Sequence, residues 1–192
     1  MTFTKEHLFE ADFGGRFIKS PLEELDTCTE LGDEKFDMVW SWGVIHHCEN
    51  FNKSFINVAN RVKDGGVIYL YLYGRGSLDY DQDIQLFKNR IIYNTLETKE
   101  EKMKFLLEKA KSTDEFKIHQ MHDQYAPLIN RRFDNKDIAD RLESLGFTNV
   151  EETIVSGEVR LKAIKGNTNL DVKNSFLPRP NLAKNWFQHH DR

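Results

Sequence analysis

Apolar positions along the chain change their period from block to block. Lys35 to Ile45 contains Phe36, Met38, Val39, Trp40, Val44 and Ile45 with only weak alternation. That pattern predicts a strand buried on both faces of a parallel sheet. Phe51, Phe55, Val58 and Val62 then recur at helical spacing, one stripe of an amphipathic helix. Asn50 or Asn52 can cap its start, and Asp64-Gly65-Gly66 is placed to end it and turn the chain back. Val67 to Tyr73 is wholly apolar or aromatic and predicts a second buried strand. Strand, helix and strand in that order make a βαβ unit, for which a right-handed crossover is expected.

The flanking pattern is less regular. A helix end is predicted at residues 5–11, before Gly14-Gly15, and a short strand at Arg16 to Lys19, stopped by Ser20-Pro21. Beyond residue 73 the stripe Ile84, Phe87, Ile91 predicts one helix and Met103, Leu106, Leu107, Ala110 another. With the polar residues around them, these make 74–130 a helical insertion over the sheet's C-terminal edge. Asp134 to Leu145 predicts a helix with Asp134 as cap, Asp137 in a capping-box position and Ile138, Leu142 and Leu145 on its inner face. Gly146-Phe147 closes it. Thr148 to Ser156 and Glu158 to Lys165 predict an antiparallel hairpin about Gly157 at the sheet edge. The expected organisation is one α/β domain over 1–165 and an extended tail over 166–192, with Phe176, Leu177, Trp186 and Phe187 as anchors.

Composition narrows the function classes. The 192 residues carry 27 basic and 31 acidic side chains, a net charge of −4, which argues against a nucleic-acid partner held by a basic field. The longest apolar run, Val67 to Tyr73, falls far short of the ~20 residues a membrane-spanning helix needs, and the N-terminus lacks a signal-peptide core. Cys28 and Cys48 form no disulfide framework, so a reducing, cytoplasmic setting is expected. A nicotinamide-dependent oxidoreductase is disfavoured by the lack of G-x-G-x-x-G. His46-His47-Cys48 lacks the spacing of a zinc site, and no metal is expected.

Phe36-Asp37-Met38-Val39-Trp40-Ser41-Trp42-Gly43-Val44-Ile45-His46-His47 resembles the central strand and following loop of class I S-adenosylmethionine-dependent methyltransferases. The similarity continues through Arg61-Val62-Lys63-Asp64-Gly65-Gly66, the late helix ending Glu143-Ser144-Leu145-Gly146-Phe147, and the closing hairpin. It implies a partial Rossmann-like, mostly parallel sheet with a helical insertion and a C-terminal antiparallel hairpin. It also implies S-adenosylmethionine as methyl donor and a small-molecule acceptor. The family opens with a strand, a Gly-rich turn and a helix, then a strand ending in an acid that holds the ribose. Asp12-Phe13-Gly14-Gly15 does not reproduce that turn. On this resemblance about 60 to 100 residues of the fold are missing before Met1. The expected consequence is a truncated or partner-completed chain, or a homo-oligomer, covering the exposed edge of the Phe36 strand.

In such folds the loops at the carboxyl ends of parallel strands form the site. The resemblance implies Ser20 and Leu22 near the adenine, and Ser41, Trp42 and Gly43 along the cofactor's methionine portion. His46 is the candidate base, an imidazole titrating near neutral pH, with His47 and a plain structural histidine as alternatives. His122 is a second catalytic candidate on a helical face with His119, and Asp123 and Tyr125 beside it are candidate acceptor contacts. Tyr73 and Arg75, just past the second strand, are candidates for the same task. The functional expectation is methyl transfer to a small-molecule acceptor. The alternative is a non-catalytic interaction or scaffold protein that retains a degenerate half-fold.

Overall fold

The structure, a computed structural model, describes residues 15–166. The expected helix at 5–11 and the tail anchors lie outside them. Four strands, β1 (Phe36–Trp42), β2 (Val62–Leu72), β3 (Phe147–Glu152) and β4 (Val159–Lys165), form one sheet in the order β1-β2-β4-β3. β1 and β2 are parallel, joined through α1 (Phe51–Asn60), and the closing pair β3–β4 is the antiparallel hairpin. β2 also pairs antiparallel with β4, so the described sheet is mixed. The architecture is α/β and consistent with a partial Rossmann-like methyltransferase fold.

The βαβ unit forms for the reasons its sequence gives. Asn50 caps α1 by accepting from the Lys53 N–H at 3.1 Å. The helix stops at Asn60, and β2 starts at Val62, so Asp64-Gly65-Gly66 sits inside the strand, where the register against β1 shifts. The two parallel strands then run together from Met38↔Val67 to Trp42↔Tyr71.

Alternation along β2 divides the sheet into two unlike faces. Ile68, Leu70 and Leu72 point with Val159, Leu161 and Ala163 into one core, closed by Phe55 and Val58 of α1 and by Ile138 and Leu142 of α5 (Asn135–Ser144). On the opposite face Met38 and Trp40 remain 59% and 56% exposed, and Trp42 is exposed as well. Trp40 stacks on Trp42 with centroids 5.0 Å apart, and each meets a tyrosine of β2, Tyr69 at 5.4 Å and Tyr71 at 4.9 Å. The expected burial of β1 on both faces is therefore corrected. Val39 and Ser41 face the core, while the larger apolar residues lie on the other face, which stays exposed among the described residues.

Other elements depart from expectation in instructive ways. Arg16 to Lys19 forms no strand, having no neighbour among the described residues to pair with. Asp134 occupies the N-cap position of α5 but makes no capping bond; its carboxylate takes Arg75 Nη1 at 3.0 Å instead. The insertion has three helices, α2 (Tyr80–Thr95), α3 (Lys99–Ala110) and α4 (Glu115–Tyr125), the last too polar to be legible. α2 and α3 carry full capping boxes, at Asp79/Gln82 and Thr98/Glu101. Tyr93, Leu106 and Tyr125 make a small separate core between them. α2 turns Asn89, Arg90 and Tyr93 inward and leaves Ile91 and Ile92 exposed, so its inner face is rotated from the Ile84/Phe87/Ile91 stripe.

Candidate functional site

The C-terminal ends of β1 and β2 carry the chemistry-bearing residues. After Trp42 the chain turns through Gly43, whose φ of +72° lies in the left-handed region that favours glycine. Its N–H donates to the Tyr71 carbonyl at 3.0 Å, extending the parallel pairing by one residue. A short 3-10 turn, Ile45–His47, follows. A strap at 129–133 then lies across both strand ends: Arg131 N–H donates to the His46 carbonyl, and Phe133 N–H to the Tyr73 carbonyl at 2.9 Å. The Arg131 guanidinium donates to the carbonyls of Cys48 and Glu49.

His46 is fully buried, 0% exposed, between two rings: His47 at 4.0 Å and Tyr73 at 4.1 Å. Neither of its ring nitrogens has a hydrogen-bond partner in the structure. Burial, then His47, Arg132 and Arg90, drive its pKa down to about 2, so the ring is neutral at any ordinary pH. The neighbouring His47 is pushed down by burial too, opposed by its 2.6 Å bond between Nδ1 and the Ile129 carbonyl oxygen.

Beyond Tyr73 a cavity of about 490 Å³ opens between the sheet end and the insertion. Tyr71, Tyr73, Leu78, Leu86 and Tyr125 give it apolar and aromatic walls. Gln82, Gln85, Asn89 and Ser77 give it neutral polar groups. Arg90, Arg132 and Glu158 supply its charges. Arg132 is fixed by Asp83 at Nε (3.1 Å) and by Ser77 Oγ and the Gly74 carbonyl at Nη1, with its guanidinium 5.6 Å from the Tyr73 ring centre. Arg90 is only 4% exposed and donates from Nε to the Gln124 carbonyl at 2.6 Å. Its Nη groups reach Asn130 Oδ1 once that amide is turned oxygen-inward. Burial lowers Arg90 to about 10. Burial likewise raises Tyr71 and Tyr73.

The far wall is set by a backbone contact that admits no side chain. Gly74 lies against the Gly157 carbonyl of the β3–β4 turn, and a Cβ built on Gly74 would land on that oxygen. The Gly74 N–H donates to Glu158 Oε2 at 2.6 Å, holding that carboxylate at the cavity.

A second, apolar hollow of about 320 Å³ follows β1, between the strand and the 22–31 loop. Leu22, Leu25, Leu31, Met38, Val39 and Trp40 line it, with Ser41 and Arg61. Arg61 pins that loop through the carbonyls of Gly32, Glu34 and Leu25.

The structure thus distributes the sequence-derived candidates over several places. Tyr73 and Tyr125 share the larger cavity, and His46 stands behind Tyr73. Leu22 and Ser41 share the apolar hollow; Ser20 bonds the adjacent Pro21 carbonyl at 3.2 Å, and Trp42 is exposed. His122 and Asp123 sit on α4 outside the cavity lining, with Asp123 3.3 Å from His119 Nε2 and 3.7 Å from His122 Nδ1. Arg75 turns to Asp134. Sequence reading missed Arg90, Arg132 and Glu158. The available signal was the 86/89/90/93 stripe of α2, helical in spacing but half polar.

A parallel βαβ unit with a cavity at its strand ends has the arrangement in which α/β folds commonly hold small molecules. Residues 2–70 match the family model described as a methyltransferase domain, in line with the resemblance to class I S-adenosylmethionine-dependent methyltransferases. No curated protein matches the chain.

The family generally uses S-adenosylmethionine. The described residues fit that cofactor only in part. Gly43 and the loop after β1 suit a close approach, whereas the hollow beside β1 is lined by apolar side chains, one serine and one arginine. It offers no carboxylate for the ribose hydroxyls.

Proposed function

We propose that this chain takes part in S-adenosylmethionine-dependent methyl transfer to a small-molecule acceptor, and that it supplies the acceptor half of the site. What carries this reading is the match over 2–70 together with a 490 Å³ cavity at the carboxyl ends of the same strands. That volume is in the ordinary range for a small-molecule pocket. Tyr73 and Tyr125 wall the acceptor. His46, the first choice of base by sequence, is buried behind Tyr73 with too little proton affinity to take the acceptor's proton, and backs the wall instead. His122 is the second choice of base, with Asp123 and Arg75 as further acceptor contacts. Leu22, Ser41, Trp42, Gly43 and Ser20 form one side of the donor site, and a further strand or partner chain along the free edge of β1 completes it.

Calorimetric titration of the purified chain with S-adenosylhomocysteine tests this. Micromolar binding that His46→Phe and Tyr73→Phe leave intact supports it. Absence of binding, together with concentration-dependent assembly in sedimentation, favours the scaffold reading, which the exposed Met38/Trp40/Trp42 face also supports.

A further inference from the structure

We infer that the cavity between β2 and α2 is built for a carboxylate-bearing acceptor with an aromatic or apolar body, its carboxylate held by Arg90 and Arg132. The inference rests on the methyltransferase reading for the word acceptor, but the binding site itself lies wholly on described residues of this chain.

The charge distribution is the first support. Arg90 is almost fully buried, and its guanidinium is held by neutral oxygens, the Gln124 carbonyl and the Asn130 amide. Among the described residues no carboxylate is within ion-pair distance of it. A buried charge without a counter-charge is costly, and structures retain one chiefly where something else supplies the opposite sign. Arg132, whose Nε is held by Asp83, has no bonded partner at Nη2. Arg132 is paired with Asp83, and Glu158 is held by the Gly74 N–H, so Arg90 is the cation of the lining left without a carboxylate partner.

The second support is geometry. Both guanidinium groups are fixed by their own backbone and side-chain bonds before any ligand arrives, which leaves Arg132 Nη2 as the donor offered to a carboxylate and the Arg90 charge behind it. The remaining walls present Tyr71, Tyr73 and Tyr125 with Leu78 and Leu86, a surface for a ring or short hydrocarbon.

The test uses the full 192-residue chain and three probes in calorimetry or ligand-observed NMR, without cofactor: benzoate, its neutral isostere benzamide, and inorganic phosphate. Benzoate should bind saturably and about tenfold or more tighter than benzamide or phosphate. Arg132→Gln should weaken benzoate about tenfold or more. Because that change also strands Asp83, Gln85→Glu is the companion: it adds a competing carboxylate at an exposed lining position, gives up one hydrogen bond to Asn89, and should weaken benzoate while the chain still unfolds cooperatively in urea. Equal binding of benzoate and benzamide, tighter binding of phosphate, or no saturable benzoate binding by the folded chain would each overturn the inference. S-adenosylhomocysteine binding is scored separately, so loss of the carboxylate result leaves the methyltransferase reading standing, and the converse holds.

Discussion

Replacing His46 by phenylalanine should remove a large part of the protein's sensitivity to mild acid. In the folded chain His46 stays neutral down to about pH 2, whereas in the unfolded chain an imidazole takes a proton near pH 6.5. Below pH 6.5 the unfolded state therefore binds one proton that the folded state refuses, and stability falls as pH falls. Each pH unit costs about 1.4 kcal/mol, so between pH 6.5 and 4.5 this one ring accounts for about 3 kcal/mol. Against a typical total of 5–15 kcal/mol that is a substantial share. Phenylalanine keeps the ring contacts with His47 and Tyr73 and has nothing to protonate. It also removes two buried nitrogens that lack partners, so at pH 7.5 the variant should be at least as stable as the natural chain. Urea denaturation of both proteins at half-unit pH steps measures the difference curve. Parallel loss of stability between pH 6.5 and 4.5 would refute the argument, since carboxylates and the remaining histidines are common to both. His47, displaced in the same direction, remains in both and sets part of that common slope.

Gly74→Ala should cost about 3 kcal/mol or more in urea, because the loop after β2 and the Gly157 turn cannot separate without breaking the Gly74–Glu158 bond. Asn50→Ala, which removes the α1 cap, should cost about 1 kcal/mol by the same measurement. Trp40→Glu should cost about 1 kcal/mol in urea, since it removes the ring contacts with Trp42 and Tyr69 on a half-bare face. The same change should reduce binding of an apolar fluorescent dye; an unchanged dye signal would mean the face is covered in solution.

The parallel unit was readable because every signal agreed: apolar blocks of strand length, a helical stripe between them and a capping asparagine. The exposure of Met38, Trp40 and Trp42 was not, because a one-dimensional pattern records that a residue is apolar and not whether a second layer is there to meet it. Arg16 to Lys19 shows the same limit, since a strand exists only with a neighbour. The charged part of the cavity was hidden for the opposite reason. Arg90 and Asn89 are ordinary surface residues by type, and only the rotation of α2 turns them inward. Tyr73 and Tyr125 were found because they stand next to strand and helix ends, where topology alone concentrates function.

The bridge between Gly74 and Phe133, reinforced by Arg75 N–H on the Phe133 carbonyl, brings the two ends of a nearly sixty-residue excursion side by side. Three helices and most of the cavity thus hang from a single doorway in the sheet. Such a segment can be exchanged for another of different length without re-registering a strand. The contents of the cavity can thus be altered at that doorway while β1, α1 and β2 stay as they are.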